Sequence, residues 1–221
     1  MLLCLLCRPG FRPRFRPRLS GAGITLHPNS RGQAPKGAAA PTRGPIPKHL
    51  TPLISLIHLV CGSTGAGKTT YAIALTERLK GVRFSIDEWM AALFWMDASQ
   101  PIESAWAMAR VERCMDHIWT TALQVACRDV PCVLDLGLGQ RVHRDKFAKL
   151  AKDAGLSLQL HFLDVPAEER WRRVQSRNDE KAQTYQLPFD VTREMFDFVE
   201  GIFEPPDAAE LAARNGITIR G

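Results

Sequence analysis

The residues best suited to chemistry lie between Gly62 and Thr70, a stretch that reads GSTGAGKTT. Gly62, four intervening residues, Gly67, Lys68 and Thr69 fit the pattern G-x-x-x-x-G-K-[ST] without a mismatch. Glycines here let the backbone curl into a concave nest whose N–H groups converge on a phosphate. A helix opening near Gly67 adds unpaired amides and the positive end of its dipole. The Lys68 ammonium can reach β- and γ-phosphates, and the Thr69 hydroxyl can ligate Mg²⁺. Ser63, Thr64, Gly65, Ala66 and Thr70 complete the cradle. The chemistry implied is the binding of a nucleoside triphosphate with its magnesium ion.

Two carboxylates and a set of arginines could act on such a ligand. Asp87 closes the run VRFSI, and Asp135 follows CVL. Parallel α/β sheets hold ligands at the C-terminal ends of their strands, so Asp87 is predicted to face the γ-phosphate from the acceptor side. There a carboxylate orients an attacking hydroxyl or takes its proton. The alternative is a helix N-cap. Asp135 suits the metal or its surrounding waters. Arg170, Arg173 and Arg177 recur at i, i+3 and i+7 in AEERWRRVQSRNDE and share a helix face. Glu168 and Glu169 stand four before Arg172 and Arg173, which suggests ordinary helical pairs. Arg170 and Arg177 have no acid four positions before them. With the polar run Asn178–Gln186 they read as a lid, at about 170–190, whose arginines close on the phosphates. A solvated basic face is the alternative.

Other motifs are missing. Leu136 stands where motor ATPases place a water-activating Glu after the Asp, and DLGLG fails D-x-x-G. No Asn-Lys-x-Asp occurs. These absences weigh against a motor ATPase and a guanine-nucleotide switch.

The elements that must position these residues follow from periodicity. Leu56–Cys61, Val82–Ile86, Cys132–Leu136, Leu158–Leu163 and the terminal ITIRG read as strands. Helices are predicted over TTYAIALTERLKG, ended by Gly81, with Tyr71, Ala74, Leu75 and Leu79 facing inward. Two more fall in residues 89–130, the second from Pro101 to about Cys127 with Val111, Met115, Ile118, Ala122 and Val125 on one face. Arg110 and Arg113 on it could meet an anionic acceptor, or simply face solvent. Further helices run over QRVHRDKFAKLAKD, from Pro166 onward, and from a cap near Thr192 to the stop at Pro205 and Pro206. His58, His117 and His161 lie in apolar elements and read as core. Strands alternating with helices imply an α/β protein with a parallel sheet.

Charge divides the chain in two. Nine of the 29 Lys and Arg fall within residues 1–50, which hold no Asp or Glu. That leaves 20 against 23 acidic residues, so residues 51–221 carry about −3 and are no nucleic-acid platform. The tail, 1–50, is rich in Pro and Arg, has no period, and is expected to be disordered. It could be a basic arm for nucleic acid or anionic lipid, or a transit peptide. The favoured reading gives it no function and allows a start site set too far upstream. MLLCLLC is too short for a signal core or a membrane span. Cys61, Cys114, Cys127 and Cys132 read as small buried hydrophobes of a reducing compartment, and Cys4-x-x-Cys7 lacks a second half for a metal. A cytoplasmic protein without a membrane partner is expected.

GSTGAGKTT, FSIDEW, VLDLG, ERWRRVQSRN and MFDFVEGIFEPPD together resemble the AAA-type small P-loop kinases, which include zeta-toxin-like, chloramphenicol-phosphotransferase-like and polynucleotide-kinase-like proteins. The resemblance spans about Ile57 to Ile219 and leaves out the tail. It implies a three-layer P-loop fold of nucleoside-monophosphate-kinase type, a five-stranded parallel sheet between helices, with a short lid. It also implies ATP, Mg²⁺ and phosphoryl transfer to a hydroxyl. By position it puts Lys68 and Thr69 on nucleotide and metal, Asp87 at the acceptor as base, Asp135 near the metal, and Arg173 and Arg177 in the lid. The expected partner is a small-molecule hydroxyl acceptor. A nucleotide switch that hydrolyses slowly, or a 5′-polynucleotide kinase using the basic tail, are the alternatives.

Overall fold

The computed structural model describes residues 57–98, 102–179 and 190–221. The tail at 1–50, with Cys4 and Cys7, and the lid segment 180–189 lie outside the described residues.

Ile57–Cys61 is apolar without alternation apart from His58, and all five of its residues are buried, the mark of a strand covered on both faces. It forms β1 of a five-stranded, all-parallel sheet. The others are β2 (Val82–Ser85), β3 (Cys132–Asp135), β4 (Leu158–Asp164) and β5 (Ile217–Arg220), in the order β2-β3-β1-β4-β5. The helices are α1 (Lys68–Leu79), α2 (Ile86–Phe94), α3 (Ser104–Ala126), α4 (Arg141–Asp153), α5 (Ala167–Asp179), α6 (Arg193–Ile202) and α7 (Ala208–Ala213). Along β1 the side chains alternate between two cores. Ile57, Leu59 and Cys61 join Leu134, Phe162, Val111, Ile118, Phe147 and Phe196 in the larger. Val60 joins Val133, Leu163, Ala72 and Leu75 in the smaller, under α1. Helices thus cover both faces, which is the three-layer α/β arrangement the sequence implies. No helix among the described residues is long and apolar enough to cross a membrane.

Several expectations shift. Strand β2 stops at Ser85 because α2 opens at Ile86, so Asp87 sits in a helical first turn. Helix α1 ends at Leu79, and Lys80, not Gly81, adopts the left-handed conformation (φ 52°). Ala72 rather than Ala74 faces inward, since the sheet lies on the Tyr71–Leu75 side of α1. His117 is exposed and packs its ring against Trp89, and Cys127, just past α3, is exposed too. Helix α7 was not anticipated, although Asp207 and Glu210 carry the spacing of a cap and its partner. The Asp207 carboxylate accepts from the Glu210 amide at 2.6 Å.

Two of the three predicted core histidines are buried as expected. His58 Nδ1 lies 3.0 Å from His161 Nε2, and His161 Nδ1 lies 2.8 Å from the Tyr71 hydroxyl. Burial, and then the neighbouring His58, push the His161 pKa down to about 3. Burial likewise pushes the thiols of Cys61 to about 12 and Cys132 to about 11, so both are inert packing residues.

Candidate active site

Strand β1 lies between β3 and β4, the place where the chain's crossovers change direction and where open sheets bind ligands. The loop leaving it closes tightly. Gly65 and Gly67 take φ of 79° and 85°, values that side chains resist. A Cβ at Gly65 would lie 2.4 Å from the carbonyl oxygen of Arg170. Gly67 caps α1 without any side-chain hydrogen bond of its own. Lys68 Nζ donates to the Ser63 carbonyl at 2.9 Å, folding the ammonium back over the loop. Thr64 Oγ1 is buried and has no hydrogen-bond partner among the described residues. An uncapped helix start, a lysine over it and an orphaned hydroxyl fit a phosphate.

Asp135, at the end of β3, is buried. Burial, then the charge of Asp87, raise its pKa, while Lys68 and Arg83 pull it down. Asp87, Lys68 and Arg83 therefore all sit within electrostatic reach of Asp135. The Asp87 alternative, a helix cap, goes instead to Ser85, whose hydroxyl accepts from the Glu88 amide at 3.4 Å. Arg83 donates to Asp135 at 3.3 Å and also pairs with Glu88. Sequence reasoning missed Arg83. It lies before the strand's end and far in sequence from Asp135.

The arginines of α5 divide. Arg173 donates to Glu169 at 3.0 Å, as the four-residue spacing predicts. Its Nη1 also lies 4.0 Å from the place a Gly67 Cβ would occupy, beside the phosphate loop. Arg172 pairs with Glu169, not Glu168. Burial lowers the pKa of Arg177, and Asp87 and Asp190 oppose that shift. Its Nη2 is buried with no hydrogen-bond partner among the described residues. Arg170 departs from expectation. It is buried and grips Glu200 of α6 with both terminal nitrogens, at 2.8 and 2.7 Å. Its acid partner sits 30 residues later, not four residues earlier, so it does not serve as a free lid cation.

No group of three or more His, Cys, Asp or Glu among the described residues could hold a metal unaided. The donors present, the Thr69 hydroxyl and the Asp135 carboxylate, are hard oxygens. They fit Mg²⁺ carried in by phosphate oxygens and water, as that ion prefers.

A parallel sheet with this loop at its switch point defines a P-loop nucleotide-binding fold. Residues 57–206 match the AAA_33 family, described as an AAA domain, and the chain belongs to that family. No curated protein matches it. Among solved structures it is similar to a sugar kinase from Janibacter sp. HTCC2649 in unliganded form. The identity is 17%, the TM-score is 0.52, and 75% of this chain and 85% of that chain are covered. It is also similar to Kti12 from Chaetomium thermophilum in complex with ADP-AlF3, at 18% identity and a TM-score of 0.50, over 74% and 88% of the two chains. Such low identities establish the shared fold alone.

Proposed function

We propose that this protein is an ATP-dependent kinase that transfers the γ-phosphoryl group to a hydroxyl of a small molecule. One observation supports this most strongly. Ser85 takes the cap of α2, and the charge of Asp87, in the first turn of that helix, reaches both Asp135 and Arg177 at the edge where the phosphate loop opens.

The amides of residues Gly62 to Thr70, with Lys68, hold the β- and γ-phosphates. Thr69 and Asp135 would hold Mg²⁺, which would supply positive charge against the negative charge that builds during transfer. Asp87 orients the acceptor hydroxyl and takes its proton. The acceptor oxygen forms a bond to the γ-phosphorus as the bond to the β-phosphate bridging oxygen breaks, releasing ADP. Arg173, beside Gly67, and the buried Arg177 stabilise charge on the transferring group. Leu136, after Asp135, offers no carboxylate to activate water, which favours transfer over hydrolysis. The site would lie in the cytoplasm, and the body's slight acidity argues against nucleic acid as acceptor.

The test is transfer of labelled γ-phosphate from ATP to a panel of hydroxyl compounds. With an acceptor in hand, Asp87→Asn should keep ATP affinity and lower turnover by about a hundredfold or more. Turnover within a few-fold of the parent would show that Asp87 is not the base.

A further inference from the structure

Arg170 and Glu200 meet against the phosphate loop. Beyond its two bonds to Glu200, the Arg170 guanidinium donates to the carbonyls of Val165 at 2.8 Å and Thr64 at 3.3 Å. Glu200 Oε2 accepts a further bond from the Ser63 hydroxyl at 2.8 Å. Ser63 in turn accepts from Lys68 through its carbonyl. The Arg170 carbonyl forms the wall that only a glycine at position 65 can approach. One residue pair thus bonds two successive loop residues, Ser63 and Thr64, and packs backbone against the third, Gly65.

We propose that Arg170 and Glu200 are positioning residues for the triphosphate. They hold the loop in its binding shape before nucleotide arrives, and Arg170 cancels a carboxylate that would otherwise repel phosphate. The proposal rests on the kinase reading only for the identity of the ligand.

Two physical arguments carry it. Amides that converge on an anion bind well only if their geometry is fixed beforehand, because ordering a loop on binding costs affinity. Glu200 also has 39% of its side chain exposed, along a cleft of about 210 Å³ lined by Ser63, Asp164 and Phe203. An uncompensated negative charge there would act on a triphosphate through partly screened space. Hydrogen bonds from Arg170, the largest influence, hold the Glu200 pKa below the usual carboxylate range.

The consequence is an asymmetry that a purely structural pair would not show. Arg170→Met alone leaves the carboxylate uncompensated beside the loop. Adding Glu200→Gln removes that charge and should return part of the lost affinity, although a second contact is gone.

Titration calorimetry of Mg·ATP on the full chain tests this, with circular dichroism confirming that each variant is folded. Arg170→Met should weaken binding by about tenfold or more, and the Arg170→Met/Glu200→Gln double variant should recover about threefold of that loss. Ser63→Ala, which spares the ion pair, should cost about threefold. If the parent does not bind Mg·ATP, the kinase reading itself falls. If the parent binds while Arg170→Met and Ser63→Ala stay within about twofold of it, the positioning role is overturned and the kinase reading stands. A double variant no better than Arg170→Met overturns the charge-cancelling part. Should Arg170→Met fail to fold, Ser63→Ala decides, and unchanged affinity there overturns the proposal.

Discussion

Two arginine–glutamate pairs in this molecule are built alike and differ in their relation to water. Arg144 of α4 donates to both oxygens of Glu210 at 2.6 and 2.9 Å, and to the carbonyls of Leu138 and Gly139 at 3.2 Å each. Arg170 of α5 does the same with Glu200 and the carbonyls of Val165 and Thr64. Each pair ties backbone at the C-terminal edge of the sheet to a helix late in the chain. Arg144 and Glu210 are sealed, with side chains 0% and 1% exposed, and Arg214 adds a second cation to the same carboxylate. Glu200 stays open to solvent and touches a loop hydroxyl. A sealed pair can only hold a fold together. An open one beside a binding loop can also govern what binds.

That contrast can be broken by experiment. Its largest expected effect lies in the sealed pair. Arg144→Met leaves the buried Glu210 carboxylate with Arg214 as its remaining close partner and frees two carbonyls of the loop after β3, at an expected cost of about 3 kcal/mol in denaturant unfolding. Mg·ATP affinity of the folded variant should stay within about twofold of the parent. A large loss of affinity without a loss of stability would erase the distinction between the pairs.

A smaller effect comes from acid. Hydrogen bonds from Arg170 lower the Glu200 pKa. Burial raises that of Glu210, but Arg144, Arg214 and Arg141 together outweigh it and the net shift is also downward. Both glutamates therefore contribute stability that is complete above the unfolded value of about 4.3 and is lost as pH falls through their lower folded values. His161 adds an earlier loss. Between its ordinary 6.5 and its folded value of about 3, the unfolded chain binds more protons than the folded one. Stability should therefore decline as pH drops across that window. Thermal melts should show the decline beginning near pH 6.5, and His161→Gln should make it shallower down to about pH 4.3, leaving the smaller part due to His143, whose pKa burial also lowers, and then the carboxylate limb. An unchanged profile in that variant would remove His161 from the account.

The loop and the two aspartates were legible in the sequence because their chemistry is local. GSTGAGKTT is contiguous, Asp135 closes the apolar run CVL, and Asp87 comes two residues after the short strand VRFS, inside the turn that the sequence read as the strand's end. What could not be read was pairing across the chain. Arg170 shared a face with Arg173 and Arg177 by spacing, but periodicity does not say how the helix is turned against its neighbours. Only packing of α6 brought Glu200 to Arg170, and only the register of β2 on β3, with Ser85 opposite Asp135, brought Arg83 to that aspartate. Helix α7 did leave a local signal in Asp207 and Glu210, hidden behind two prolines that read as an end.

The most direct test of the central claim is a crystal structure of the full chain with Mg²⁺ and a non-hydrolysable ATP analogue. The β- and γ-phosphates should be cupped by the amides between Ser63 and Thr69, with the terminal phosphate directed toward the Asp87 carboxylate. Nucleotide bound elsewhere, or Asp87 turned away from that phosphate, would contradict it.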